Sequence, residues 1–150
     1  MGAQEVQRAM AHLRLLLADL QAREEGLRGA CQQFRLQLRR LSRHVLYGAA
    51  PLDLALSGMR EVEERLEEAE KTLRRVLLLK QQAQEELQAL HLTLAIEEAK
   101  GRLGELLARL RSGEEDSALT AEVQRLEAFI AETSQQAART ITHRQEPPLF

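Results

Sequence analysis

Apolar residues recur along the first third of the chain at alternating intervals of four and three positions. They are Val6, Met10, Leu13, Leu17, Leu20, Leu27, Cys31, Phe34, Leu38, Leu41 and Val45, with the polar Glu24 in the same stripe. This spacing is the a/d pattern of a coiled coil, and it predicts a helix over about residues 3–46. The segment "YGAAP" (47–51) should end it, because Gly48 can adopt a positive φ and Pro51 cannot continue a helix.

A second stripe with the same spacing predicts a helix over about residues 53–111, with Asp53 or Ser57 as its N-cap. Its first members are Ala55, Met59, Val62, Leu66, Ala69, Leu73, Val76, Lys80, Ala83, Leu87, Leu90 and Leu94. A short link between two long helices favours an antiparallel hairpin. If the turn centres near residue 50, the numbers of facing residues add to about 100, and the two stripes match without adjustment.

The segment "LQALHLTLAIEEAK" (87–100) alternates apolar and polar residues, as a half-buried strand would. Its flanks, however, have the composition of a long helix. From Leu92 the four-three spacing resumes two positions out of phase, at Ile96, Ala99, Leu103, Leu106 and Leu110. Two positions are about 200° on a helix, so the new stripe should face the opposite side of the same helix.

A third stripe predicts a helix over about residues 117–141, after a break near Gly113. Its members are Leu119, Val123, Leu126, Ile130, Thr133 and Ala137. Residues 142–150 contain two prolines and are expected to form a flexible tail. The prediction is therefore one all-α domain, residues 1–141: a long antiparallel coiled-coil hairpin, with a third helix folding back on the far part of helix 2.

Glu24 and Lys80 are the polar members of the first two stripes, and the hairpin register places them in neighbouring layers. We predict that they contact each other and set the register, because a buried ion pair specifies pairing better than it stabilises. The alternative is that each side chain extends separately to water.

The net charge of −2 is unevenly distributed, because residues 1–50 are basic and residues 51–100 acidic. In the predicted register the Arg-rich segment 34–44 lies opposite the acidic segment 60–70. Mutual neutralisation is therefore favoured over binding of nucleic acid or lipid. Nucleic acid is further disfavoured by the low aromatic content, although a membrane surface remains a possible partner.

The sequence indicates no enzyme. Four scattered histidines and one cysteine form no metal-binding or nucleophilic pattern, so no catalytic residue, metal, cofactor or small-molecule substrate is expected. No apolar run approaches the length of about 20 residues that a membrane span needs, and no signal peptide is recognised. A cytoplasmic location is therefore predicted.

Several leucines lie outside the stripes and indicate a further helical partner, either a second copy or a different subunit. They are Leu15, Leu16, Leu36, Leu46, Leu77, Leu78, Leu79 and Leu107. The function predicted is that of a non-enzymatic coiled-coil interaction or scaffold protein within a homo- or hetero-oligomer.

Two alternatives remain open at this point. The predicted long helical hairpin, with a basic first helix and an acidic second helix, resembles the phage-shock and ESCRT-III proteins in topology and composition. The resemblance implies assembly on anionic bilayers. The other alternative is an export or assembly chaperone, whose apolar helical face would bind another protein.

Overall fold

The computed structural model describes residues 2–113 and 117–144, with side chains as far as residue 139. In these ranges the regular structure is helical: α1 spans Ala3–Leu46, α2 spans Leu52–Arg111 and α3 spans Ser117–Arg144. The all-α class is confirmed. The tail was predicted to begin at residue 142, but α3 continues to Arg144. The first proline of the predicted tail, Pro147, lies three positions beyond the end of this helix. The rest of the predicted tail, residues 145–150, lies outside the described residues.

The end of α1 is a Schellman motif centred on Gly48, which adopts the positive φ that the sequence predicts (71°). The Gly48 N–H donates to the Val45 carbonyl at 3.1 Å, and the Ala49 N–H donates to the His44 carbonyl at 2.8 Å. These two bonds satisfy carbonyls that have no partner within the helix. The chain can therefore leave α1 abruptly and enter the short segment before α2.

The start of α2 differs from the prediction. The Ala55 N–H donates to the Pro51 carbonyl at 3.0 Å, which makes Pro51 the N-cap residue, and the helix begins at Leu52. Asp53 and Ser57 are therefore not caps. Asp53 instead lies in the first turn, where a carboxylate is favoured by the helix dipole.

The end of α2 is formed by Gly113, with φ of 94°. Its N–H donates to the Leu110 carbonyl at 3.2 Å, and the Ser112 hydroxyl donates to the Arg109 carbonyl at 2.7 Å. Ser112 thus satisfies one of the last carbonyls of α2. In the sequence, only its position next to Gly113 indicates this role.

One compact unit comprises the described parts of Met1–Leu15 and Ala83–Phe150, so it contains the start of α1, the second half of α2, and α3. Part of its core is a cluster of Leu106, Leu119 and Val123. Leu103, Leu107, Leu110 and Leu126 pack around this cluster. The Arg102 guanidinium donates to Glu122 and so links α2 to α3 at the surface of the unit.

The segment 87–100 lies in this unit and is helical throughout, so its alternation does not mark a strand. Between residues 85 and 96 only Gln88 and His91 are exposed. A helix covered on one side would expose a whole face, so this stretch is covered on more than one side. Ala89 is buried and lies three positions before Leu92, so the out-of-phase stripe that the sequence places from Leu92 onward begins earlier than predicted.

The other compact unit is Leu16–Gln82. Its buried residues all occupy predicted stripe positions: Leu20, Glu24, Cys31, Ala55, Val62 and Val76. Polar contacts join α1 to α2 through Arg35 with Glu70 (3.1 Å) and Gln21 with Lys80 (2.6 Å). A Cβ at Gly58 would meet the Leu41 methyl carbons at 3.7 and 3.8 Å, an ordinary van der Waals separation, so the helices also approach closely near the turn.

Candidate interaction surfaces

The part of the chain that the structure describes contains no group of three or more His, Cys, Asp or Glu side chains that could hold a metal ion. Cys31 is a free, buried thiol at a stripe position. It fills space in the core as a small apolar group. The described residues do contain a buried polar cluster and two sets of exposed apolar residues, which are the candidate interaction surfaces.

The buried polar cluster contains both residues for which a register-setting role is predicted. Glu24 is only 8% exposed, and the Lys80 ammonium lies 3.4 Å from its Oε1. The two side chains therefore meet and do not extend separately to water. The sequence did not identify Gln21, whose Oε1 accepts a 2.6 Å hydrogen bond from Lys80. An ammonium has three donors, and a single carboxylate leaves room for this second acceptor.

Arg28 adds a second cation to the cluster, with its Nε 3.8 Å from Glu24 Oε2. The Glu24 carboxylate is thus approached by a cation from its own helix and by one from α2. Loss of Lys80 would leave a buried carboxylate with only the more distant, largely exposed arginine, and such a loss is costly. The register-setting role itself stays a prediction.

Apart from Leu46, which lies next to the link between α1 and α2, the leucines predicted to contact a partner fall into three groups. Leu15 (74% exposed), Leu16 and Leu79 are exposed, and we call these three the side leucines. Leu36, Leu77 and Leu78 are half-buried. Leu107 was wrongly counted as unused, because it packs against the cluster of Leu106, Leu119 and Val123. The apolar face of α2 that meets α3 is wider there than the a/d stripe alone.

A second exposed apolar set surrounds the link between α1 and α2, and we call it the apolar tip. It consists of Leu46, Tyr47, Leu52, Leu54 and Leu56. Tyr47 is 80% exposed and Leu54 is 70% exposed. Of these five residues, only Leu46 was among the leucines predicted to contact a partner. The sequence could have indicated their exposure, because the second stripe passes through Ala55 and Met59 and leaves the leucines of "LDLALS" (52–57) outside it.

Next to the apolar tip, Arg39, Arg40, Arg43 and His44 are exposed; we call these four the basic collar. Its arginines form no salt bridge with any residue that the structure describes. The expected neutralisation of segment 34–44 is observed at Arg35, which pairs with Glu70, and does not extend to the collar. The collar charges therefore remain available to another molecule.

A pocket of 280 Å³ lies where the collar meets the tip, lined by Arg40, Arg43, His44, Tyr47 and Ala49. Counted from Arg40, the next three lining residues come three, four and seven positions later, so the four share one face at the end of α1. Three basic side chains and one phenol thus converge on one concave surface.

Within the described residues, no helix combines the length and the apolar character that crossing a membrane requires. Comparison of the chain with protein-family models, with curated proteins and with solved structures gives no match.

Proposed function

We propose that the protein is a non-enzymatic coiled-coil scaffold that assembles through helix–helix contacts. In this proposal α1 and α2 form an antiparallel hairpin, α3 folds back on the far part of α2, and the side leucines contact another subunit. The exposure of the side leucines, which the chain's own helices leave uncovered, is the observation that carries the proposal.

Three contacts between α1 and α2 support the antiparallel hairpin. They are Gln21 with Lys80, Arg35 with Glu70, and Leu41 beside Gly58. In each pair the two residue numbers add to about 100, as expected for two helices that run in opposite directions from a turn near residue 50. The burial of stripe positions, and of no others, in Leu16–Gln82 is what a coiled-coil seam would produce.

The outer surface of α1 supports assembly with another helix. Single exposed leucines are common, but Leu15 and Leu16 are adjacent, and each exposed leucine could contribute about 1.5–3 kcal/mol if fully buried. Gly26 and Gly29 are exposed inside α1, and nothing lies within 4 Å of where their Cβ atoms would be. Glycine inside a helix costs about 1 kcal/mol relative to alanine, and a close helical partner would explain its presence.

Sedimentation equilibrium at micromolar concentrations tests the proposal. The wild type should have a mass that is a multiple of 17.0 kDa, and a Leu15→Gln/Leu16→Gln/Leu79→Gln variant should shift towards the monomer. The matched control is Leu52→Gln/Leu54→Gln, which changes two similarly exposed leucines of the apolar tip and should leave the mass unchanged. A wild type that stays monomeric would contradict self-assembly.

A further inference from the structure

We infer that the link between α1 and α2 docks the protein on the surface of an anionic lipid bilayer. The apolar tip would enter the interfacial layer, and the basic collar would meet the lipid phosphates. This inference does not depend on the scaffold proposal, because it uses different residues and a different kind of partner.

The apolar character of the link is the first reason. Connections on protein surfaces are usually polar, yet residues 45–52 ("VLYGAAPL") contain no charged side chain. Leu46 and Leu52, on either side of the link, are both exposed. Tyr47 combines an apolar ring with a hydroxyl and suits the boundary between lipid chains and water.

The spacing between apolar and basic residues is the second reason. Along α1, Arg43 comes one helical turn before Tyr47 and Arg40 comes two turns before it. At 1.5 Å per residue these offsets are about 6 and 10 Å. Amphipathic elements at a bilayer surface bury their apolar side by about 5–10 Å, so the arginines would lie at the depth of the headgroups when the tip is inserted.

The local charge is the third reason, since residues 39–59 carry three arginines and one acid and so have a net charge of +2 with His44 neutral. The acidic residues from Glu61 onward begin nine positions, or about 13 Å of helix, beyond Leu52. They therefore lie farther from the inserted tip than Arg43 and Arg40, so the charges nearest the lipid phosphates are basic. Asp53 opposes docking, but it lies in the first turn of α2, where the helix dipole offsets its charge.

The pocket between collar and tip gives the lipid phosphate a place to bind. Arg40, Arg43 and His44 line it together with Tyr47. Guanidinium groups match the geometry of phosphate oxygens, with two parallel hydrogen bonds from one side chain. A second copy of the tip is a poor occupant, because two basic collars would repel each other.

The first experiment uses the absence of tryptophan from the chain. In the full-length Tyr47→Trp variant, emission should shift to shorter wavelength on addition of phosphatidylcholine vesicles that contain phosphatidylserine. Vesicles of phosphatidylcholine alone should cause a much smaller shift. The matched control is Phe129→Trp, an exposed aromatic position on α3, whose emission should stay constant. A shift in the Phe129→Trp variant without one in the Tyr47→Trp variant would overturn the inference.

Vesicle flotation separates the two contributions. Leu52→Gln/Leu54→Gln should weaken binding to phosphatidylserine vesicles at least about tenfold, because two apolar side chains would lose their burial. Arg40→Gln/Arg43→Gln should weaken it by about fivefold per arginine and remove the preference for anionic lipid. The side-leucine variant should bind as the wild type does. Circular dichroism checks that every variant keeps its helical content.

Three results would overturn the inference: no binding to anionic vesicles, equal binding to both kinds of vesicle, or binding that the tip and collar substitutions leave unchanged. An acidic protein that binds the collar while vesicles do not would also overturn it. A monomeric wild type that still binds vesicles through the tip would contradict self-assembly through the side leucines and would leave the lipid inference intact.

Discussion

Lys80 of α2 donates a 2.6 Å hydrogen bond to the side-chain oxygen of Gln21 on α1, beside the buried carboxylate of Glu24. The lysine ammonium thus has two acceptors on α1, and one of them is neutral. Since Lys80 is half-buried and Glu24 is buried, the cluster places polar groups among the buried side chains of α1 and α2.

Lys80→Met should lower the free energy of unfolding by about 1–3 kcal/mol, because Glu24 would keep its buried charge without its cross-helix partner. Replacing both residues, as Glu24→Leu/Lys80→Met, should restore most of that loss. The measurement is a double-mutant cycle by urea denaturation. An exposed pair, Arg60 with Glu64, serves as control and should contribute less than about 0.5 kcal/mol. Additive effects of the Glu24 and Lys80 substitutions would rule out the coupling.

Two glycines should respond to alanine in opposite directions. Gly26→Ala should stabilise the fold by about 0.5–1 kcal/mol, because the site has open space and an ordinary helical backbone. Gly48→Ala should destabilise it by about 1–2 kcal/mol, since its φ of 71° is strained for any residue with a Cβ.

Thermal unfolding of the two variants, measured below the concentration at which the wild type associates, gives the comparison. If both substitutions shift the midpoint of thermal unfolding in the same direction, then either the Schellman motif at the end of α1 or the open surface at Gly26 has been wrongly assigned.

Thr93→Pro should disrupt α2 at a point where it is covered on more than one side. Proline inside a helix costs about 3 kcal/mol or more, through a lost hydrogen bond and a clash with the preceding turn. Hydrogen exchange should then accelerate both in residues 3–15 of α1 and in residues 117–139 of α3. His91→Ala, at an exposed position of the same helix, is the control and should leave both segments protected. If one segment kept its protection in Thr93→Pro, the two stripes would not overlap there.

The periodicity of apolar residues was sufficient to predict the helices, because a four-three repeat has few other interpretations. Gly48 and Gly113 were recognisable since both need a positive φ at a helix end. Pro51 as N-cap was missed because no side-chain acceptor marks it. The early start of the out-of-phase stripe, before Leu92, was missed because Ala89, a small residue, gives a weak apolar signal.

The candidate surfaces were harder to predict, because exposure depends on what the chain covers elsewhere. Leu107 and Leu15 look alike in sequence, yet Leu107 packs against a core cluster and Leu15 is exposed. Gln21 is not a stripe position, and its bond to Lys80 depends on side-chain geometry that periodicity does not contain. The whole Arg-rich segment 34–44 was expected to be neutralised by α2, yet among the described residues only its Arg35 pairs with an acid, Glu70.

The register of α1 against α2 is the central claim, because it determines which leucines remain uncovered. Cross-linking tests it most directly in the full chain with Cys31, the one native cysteine, replaced by alanine. A Gln21→Cys/Lys80→Cys variant should react with a short bis-maleimide to give an internally cross-linked monomer. A Gln21→Cys/Leu87→Cys variant, displaced by one heptad, should not. Equal reaction of the two variants, or cross-linking only between chains, would contradict the hairpin.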